Sequence, residues 1–296
     1  MNKTFNAYAK LNLLLDIIKK REDGYHDISS VMQSISLHDE INIDISSSKQ
    51  NEIKVSCVNA GDFSSVKWDE SNLVYKAASL LLTDCGQALK SPVSINISVK
   101  KNIPAGAGMG GGSADAAAVL KGLNELLGLD LSVDKLCELG KRLGADVPFC
   151  LVGGTALCEG IGERITSLPS PGKVPCVILK PEISLSTKEI YDITDTYIDL
   201  PGHPDTGKMI AALNSKHRNT FTANCGNFME PAAIKLCPII NDLKKQLTDA
   251  GAVLSMMTGS GSAVFGLFTD ENAAKKAFEK ITPSKAEKFI SFFFVD

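Results

Sequence analysis

The segment PAGAGMGGGSADAA, residues 104–117, puts five glycines into the seven positions from 106 to 112 and then passes into small, helix-permissive residues. Chemistry that wants so little side chain is done by backbone. N–H groups turned into a concavity, with a helix N-terminus behind them, hold an anion. Gly106, Gly108 and Gly111 also fit G-x-G-x-x-G, the dinucleotide fingerprint. That motif needs an acidic residue about 20 positions on, at the end of a second strand. Counting on from Gly111 reaches Asp130 and Leu131, between two predicted helices, so a dehydrogenase is disfavoured. A Walker loop fails because the cluster ends Gly-Gly-Ser-Ala, with no lysine. A flexible linker fits poorly between two well-defined elements. What remains is phosphate at a helix N-terminus. Ser113 stands where a hydroxyl could reach a phosphate oxygen or a bound magnesium, and Asp115 reads as a helix-dipole partner.

Two isolated charges complete the candidate chemistry. Lys10 is the only charge between Lys3 and Asp16, inside an apolar run. A charge in such a place is either an edge residue or paired at a site. Asp146 follows Gly144 in "GADVPF" and reads either as a turn or cap residue or as a carboxylate facing a cleft.

The elements that must position these groups are legible from periodicity. "NAYAKLNLLLDI", "DEINIDIS" and "NEIKVSCV" read as strands, followed by a helix over 69–83 capped by Asp69 or Ser71. "SPVSINISVKK" alternates, with Val93, Ile95, Ile97 and Val99 on one face, and leads into the glycines. Helices follow over 113–127, stopped by Gly128, and over 132–143, capped by Ser132. "SLPSPGKVPC" has the composition of a domain boundary. Beyond it, a strand over 174–179, a helix ending near Gly251, strands over 252–257 and 263–268, a helix over 273–281 and a strand over 289–295 give a β-α-β-β-α-β order, the ferredoxin-like split unit. A long polar insertion, residues 183–230, separates its first strand from its first helix, and insertions of that length tend to be functional. The expected domains are 1–165 and 166–296.

A net charge of −3 argues against a nucleic-acid footprint. The basic run Lys19-Lys20-Arg21 precedes Glu22 and Asp23 and reads as a solvated turn. No stretch suits a membrane helix or a signal peptide, and the eight cysteines lack close pairs, so a cytoplasmic protein with free thiols and no zinc site is expected.

Three blocks in order, "AYAKLNLLLDIIKKREDGYHDISSVMQSISLHD", the glycine stretch with "LGADVPFCLVGGTALCEGIGE", and "MTGSGSAVFGLF", resemble the GHMP family of small-molecule kinases over nearly the whole chain. The resemblance implies an α+β fold with an N-terminal ribosomal-protein-S5-domain-2-like domain and a C-terminal ferredoxin-like domain. It implies ATP and Mg2+, the nucleotide held by Pro104, Ala105, Gly106, Ala107, Gly108, Met109, Gly110, Gly111, Gly112, Ser113 and Ala114. Asn72 and Lys101 match adenine-pocket positions, against the plainer readings of a helix cap and a solvent lysine. Asp146 is similar to the family's catalytic base and Lys10 to its catalytic lysine, the two forming a pair. Gly24-Tyr25-His26 points within the family to an acceptor with a cytidine diphosphate moiety, phosphorylated on a methylerythritol 2-hydroxyl in the non-mevalonate route to isoprenoids. Tyr25 then offers a face to the pyrimidine and His26 a hydrogen bond to its Watson–Crick edge. Thr187 and Tyr191 close the other side, Asn12 holds the methylerythritol hydroxyls, and Gly259 and Ser260 abut the substrate. The magnesium ligands are open beyond Ser113. Tyr8 and Met32 depart from residues common in the family. The alternatives are another kinase of the family or a non-catalytic nucleotide-binding relative.

Overall fold

Two long strands set the frame. β1 (Asn2–Lys20) and β2 (His26–Ser47) run for 19 and 22 residues, against about five or six for an ordinary strand. A tight turn joins them, in which the Gly24 N–H donates to the Arg21 carbonyl and the Arg21 N–H to the Tyr25 carbonyl. The chain continues through β3 (Glu52–Cys57), α1 (Leu73–Cys85), β4 (Val93–Lys100), α2 (Gly111–Leu126), α3 (Val133–Lys141), α4 (Val147–Val152), β5 (Thr155–Gly160), β6 (Arg164–Leu168) and β7 (Pro175–Pro181). The inserted segment carries α5 (Thr187–Thr194), α6 (Thr206–Asn214) and β8 (Gly226–Asn227). The rest is α7 (Glu230–Leu236), α8 (Ile239–Asp249), β9 (Leu254–Met257), β10 (Val264–Leu267), α9 (Glu271–Lys280) and β11 (Ala286–Phe292). This computed structural model describes residues 1–294 apart from 60–62, 64–65, 87–88, 90 and 216–219. Val295, the expected end of the last strand, lies outside the described residues.

The chain divides into two compact units that interleave along the sequence, one of residues 1–9, 38–105 and 110–152, the other of 10–37, 106–109 and 153–296. This differs from a single cut at 165/166, because β1 and β2 are long enough for each strand to serve both units.

In the first unit, β2 pairs antiparallel with β4 over Glu40–Ser47, and β3 lies parallel on the other side of β4. Ile95, Ile97 and Val99 of β4 are buried, as their alternation predicts. α2 packs against α1 and α4, and α3 against α4. α1 starts later than expected because Asn72, not Asp69 or Ser71, caps it: the Asn72 side chain accepts from the Val74 N–H at 2.9 Å, while Asp69 is taken by Ser71. α2 starts two residues earlier than expected, at Gly111 behind a left-handed Gly110. α3 has its predicted cap, Ser132. The six-residue α4 was not apparent in the sequence, being too short to show a period.

In the second unit the strand order is β11-β7-β10-β9, all antiparallel, the ferredoxin-like arrangement that the element order predicts. α8 packs on β9 and β10, and α9 on β7 and β11. Ile240, Leu243 and Leu247 of α8 share a buried core with Val177, Leu179 and Val264. Each such side chain contributes about 1.5–3 kcal/mol of burial. In the same unit β5 pairs with β2 over Ile28–Gln33 and with β6, and β8 lies parallel to β1 at Leu14 and Leu15. Among the described residues no helix is long and apolar enough to cross a membrane, and all eight cysteines are free.

Candidate active site

Alternate residues of β1 point to one side, and Lys10 and Asn12 meet there. The buried Lys10 ammonium donates to Asn12 Oδ1 at 2.6 Å. Asn12 has further partners: its Nδ2 donates to Ser30 Oγ at 2.8 Å, and its backbone N–H donates to Thr258 Oγ1 at 3.0 Å. The side chain expected to hold substrate hydroxyls is thus also a hydrogen-bond partner of the lysine. The Lys10 N–H also donates to the Met109 carbonyl at 3.0 Å, which fastens the strand to the glycine loop.

Two glycines make this closeness possible. Gly108 has φ +74, and a Cβ there would lie 2.3 Å from the Thr258 carbonyl oxygen. Gly259 has φ +57, and its Cβ would lie 2.7 Å from the Gly108 carbonyl oxygen and 3.3 Å from Lys10 Nζ. Glycine at 259 thus leaves room for the ammonium. Gly108→Ala is expected to cost about 2–4 kcal/mol, from the left-handed backbone and the overlap with unyielding backbone. Chemical denaturation measures this; a loss under about 1 kcal/mol would mean the loop yields freely.

In the first unit the loop feeds α2. Its N-cap, Gly110, supplies no side-chain acceptor, so the N–H groups of the first turn suit an anion. The Ser113 hydroxyl lies 4.0 Å from where a Cβ on Gly144 would stand, which sets it beside the loop that carries Asp146 into α4. Lys10 and Asp146 belong to different units. Among the described residues no group of three or more His, Cys, Asp or Glu side chains suits a metal.

Asn72 is the α1 cap described above and also donates to the Lys67 carbonyl at 2.6 Å. Lys101 is no solvent lysine. It is buried, and its ammonium pairs with Asp39 and, at 2.8 Å, with Asp115. Asp39 also accepts from the backbone N–H groups of Asn102 and Ile103. Burial by itself would lower the Lys101 pKa, but Asp115 and Asp39 outweigh it and raise it. Burial pushes Asp115 up to about 7; Lys101 opposes the rise and Asp39 adds to it. Asp115 therefore serves a buried ion cluster rather than the helix dipole.

The pyrimidine candidates lie in the second unit. His26 opens β2, buried, with Nε2 2.6 Å from Asp195 and its ring stacked on Tyr191, centroids 4.4 Å apart. Tyr25 is 61% exposed and open to a planar ligand. Thr187 and Ser260 share a hydrogen bond at 2.9 Å. Lys20 is exposed, as the solvated reading of its basic run expects, and at the end of β1 it also pairs with Asp195 at 2.6 Å. The only sequence signal for Asp195 is its spacing, since Thr187, Tyr191 and Asp195 repeat every four residues, as on one helix face.

Asp16 and His203 form a second such pair, which no spacing in the sequence signals. His203 Nδ1 lies 2.6 Å from Asp16, and Nε2 lies 2.8 Å from the Ile198 carbonyl. Both partners accept, an arrangement that favours the imidazolium, in which both ring nitrogens donate. Partial burial would lower its pKa, but Asp16, the Ile198 carbonyl and Asp199 raise it above 6.5. With the folded value above the unfolded one, this contribution is complete below about pH 6.5 and is lost as pH rises through the folded value. Amide exchange around residues 198–203 is expected to quicken over that range, beyond the intrinsic rate. The same pH profile in His203→Gln would remove the histidine from the explanation.

The family model described as GHMP kinases N terminal domain matches residues 72–154, and that described as GHMP kinases C terminal matches 205–288. A 4-diphosphocytidyl-2-C-methyl-D-erythritol kinase of Acetivibrio thermocellus is 42% identical over 288 residues, 97% of this chain and 98% of the relative. The chain belongs to the GHMP kinase family. Another relative of that name, from Caldicellulosiruptor saccharolyticus, is 44% identical over 275 residues, 93% of this chain and 91% of the relative. The crystal structure of a 4-(cytidine 5'-diphospho)-2C-methyl-D-erythritol kinase superposes with TM-score 0.79 at 30% identity, covering 99% of this chain and all of that one. Homoserine kinase from Cytophaga hutchinsonii, at 23% identity and TM-score 0.71 over 99% and 95% of the two chains, shares the fold.

Proposed function

We propose that this GHMP kinase transfers the γ-phosphoryl group of ATP to the 2-hydroxyl of 4-diphosphocytidyl-2-C-methyl-D-erythritol, in the cytoplasm. The observation that carries this reading is the identity of 42–44% with kinases of that name over at least 93% of the chain. The local geometry supports it: a glycine loop enters a helix whose first turn suits phosphate, and the same loop bonds the strand that holds Lys10.

In the proposed mechanism, residues 104–114 cradle the ATP phosphates. The acceptor oxygen forms a bond to the γ-phosphorus while the bond from that phosphorus to the bridging oxygen of ADP breaks. Asp146 takes the hydroxyl proton. Lys10, held by Asn12, supplies the positive charge that serves the same transfer. The α2 first turn and the Ser113 hydroxyl fit magnesium-bound phosphate, and magnesium, when bound, neutralises charge on the transferring group. Tyr25, His26, Thr187 and Tyr191 hold the cytidine side, with Gly259 and Ser260 adjacent.

The test is ADP release with the cytidylyl acceptor, beside the same acceptor lacking the cytidylyl group, and beside homoserine and mevalonate. Turnover only with the first supports the reading. Equal turnover without the cytidylyl group would assign a different member of the family.

A further inference from the structure

We infer that Asp195 sets the tautomer of His26 and thereby makes the acceptor site prefer cytosine to uracil. The inference rests on the substrate proposed above. Three constraints hold the His26 ring: burial, the stack on Tyr191 at an interplanar angle of 20°, and the 2.6 Å contact of Nε2 with Asp195 Oδ1. The other Asp195 oxygen accepts from Lys20 at 2.6 Å. Burial would raise the Asp195 pKa, but the hydrogen bonds from Lys20 and His26 and the Lys20 charge hold it below the usual carboxylate range. Asp195 is therefore an ionised carboxylate, which only accepts.

Nε2 must then carry a proton and donate it. In the neutral ring that leaves Nδ1 with a lone pair, an acceptor. Cytosine presents an exocyclic amine on its Watson–Crick edge, where uracil presents a carbonyl. An Nδ1 lone pair accepts from the amine and repels the carbonyl. His26 is the contact residue, and Asp195 is a positioning residue that decides which atom the contact offers. Lys20, at the end of β1, keeps the carboxylate charged and in place. Thr187, Tyr191 and Asp195 follow one another at four-residue spacing along α5 and its C-cap, so one helix supplies the face near the base and the residue that orients His26.

The first test needs no nucleotide. Two-bond 15N–1H correlation of the free, labelled protein, with the His26 signals assigned by His26→Gln, is expected to show a protonated Nε2 and a bare Nδ1. Asp195→Asn is expected to shift the population toward the other tautomer. In the second test, the ratio of kcat/KM for the cytidylyl acceptor to that for a uridylyl acceptor is expected to fall at least about tenfold in Asp195→Asn, through KM more than kcat. Asp195→Glu, which keeps the carboxylate, recovers part of the ratio. A protonated Nδ1 or an imidazolium in the free wild-type protein would overturn the inference, as would unchanged discrimination in Asp195→Asn. Absence of turnover with either acceptor in the wild type overturns the substrate assignment and the specificity role with it. The tautomer measurement still stands or falls on Asp195 alone.

Discussion

Asp146→Asn is expected to lower kcat by about 10²–10⁴ while ATP still binds. A positioned base contributes about that much to proton transfer, and asparagine keeps the shape of the side chain while removing its ability to take a proton. Asp146 stands just before α4, and its carbonyl accepts from the Cys150 N–H at 3.1 Å, a backbone bond that the substitution leaves in place. Folding should therefore survive. Steady-state kinetics with the cytidylyl acceptor, run beside calorimetric titration of ATP, separates the two effects. A variant within about threefold of the wild-type kcat would remove Asp146 from the chemistry and leave it the turn residue that its sequence context also allows.

The largest expected loss of stability comes from Lys101→Met, about 3–5 kcal/mol. The ammonium is the counterion of two carboxylates, and Asp39 and Asp115 are both buried. Removing it takes away the cation that both buried carboxyl groups face, and Asp115 Oδ1 already has no hydrogen-bond partner among the described residues. The loss reaches the site because Asp39 also holds the backbone of Asn102 and Ile103, the residues that lead β4 into Pro104 and the glycines. Urea denaturation monitored by circular dichroism gives the stability. A change below about 1 kcal/mol would show that the cluster relaxes without its cation. A double variant that also replaces Asp115 with leucine should recover part of the loss, since the charges then fall together.

How much of this was legible in the sequence differs between strands, helices and side-chain partners. The ferredoxin-like unit was readable because each of its elements carries a clear period and its turns carry Gly or Pro. Glycines 106–112 were readable as an anion cradle because only backbone chemistry needs so little side chain. The start of α1 is set by competition between caps, since Asp69 accepts from Ser71 and leaves Asn72 to begin the helix, whereas α2 starts behind a left-handed Gly110 with no side-chain cap. Contiguous domains were expected because nothing local in the sequence tells a 22-residue strand from two shorter ones. The partners were the least visible. Lys101 finds Asp39 across 62 residues, His26 finds Asp195 across 169, and Asp16 finds His203 across 187. No period or spacing encodes such pairs, since they arise only when the sheet and the inserted segment are assembled. Asn12 shows the same limit. Its place two residues after Lys10 was legible, but that it is also a hydrogen-bond partner of the lysine emerged only once Ser30 and Thr258 stood beside it.

The most direct measurement is phosphorus NMR of the purified protein with ATP, magnesium and 4-diphosphocytidyl-2-C-methyl-D-erythritol. The expected result is a new phosphomonoester resonance that grows in step with ADP, while the diphosphate signals of the cytidylyl group persist. ATP consumed with only inorganic phosphate appearing, or a phosphomonoester formed at the same rate on an acceptor without the cytidylyl group, would contradict the assignment of this acceptor.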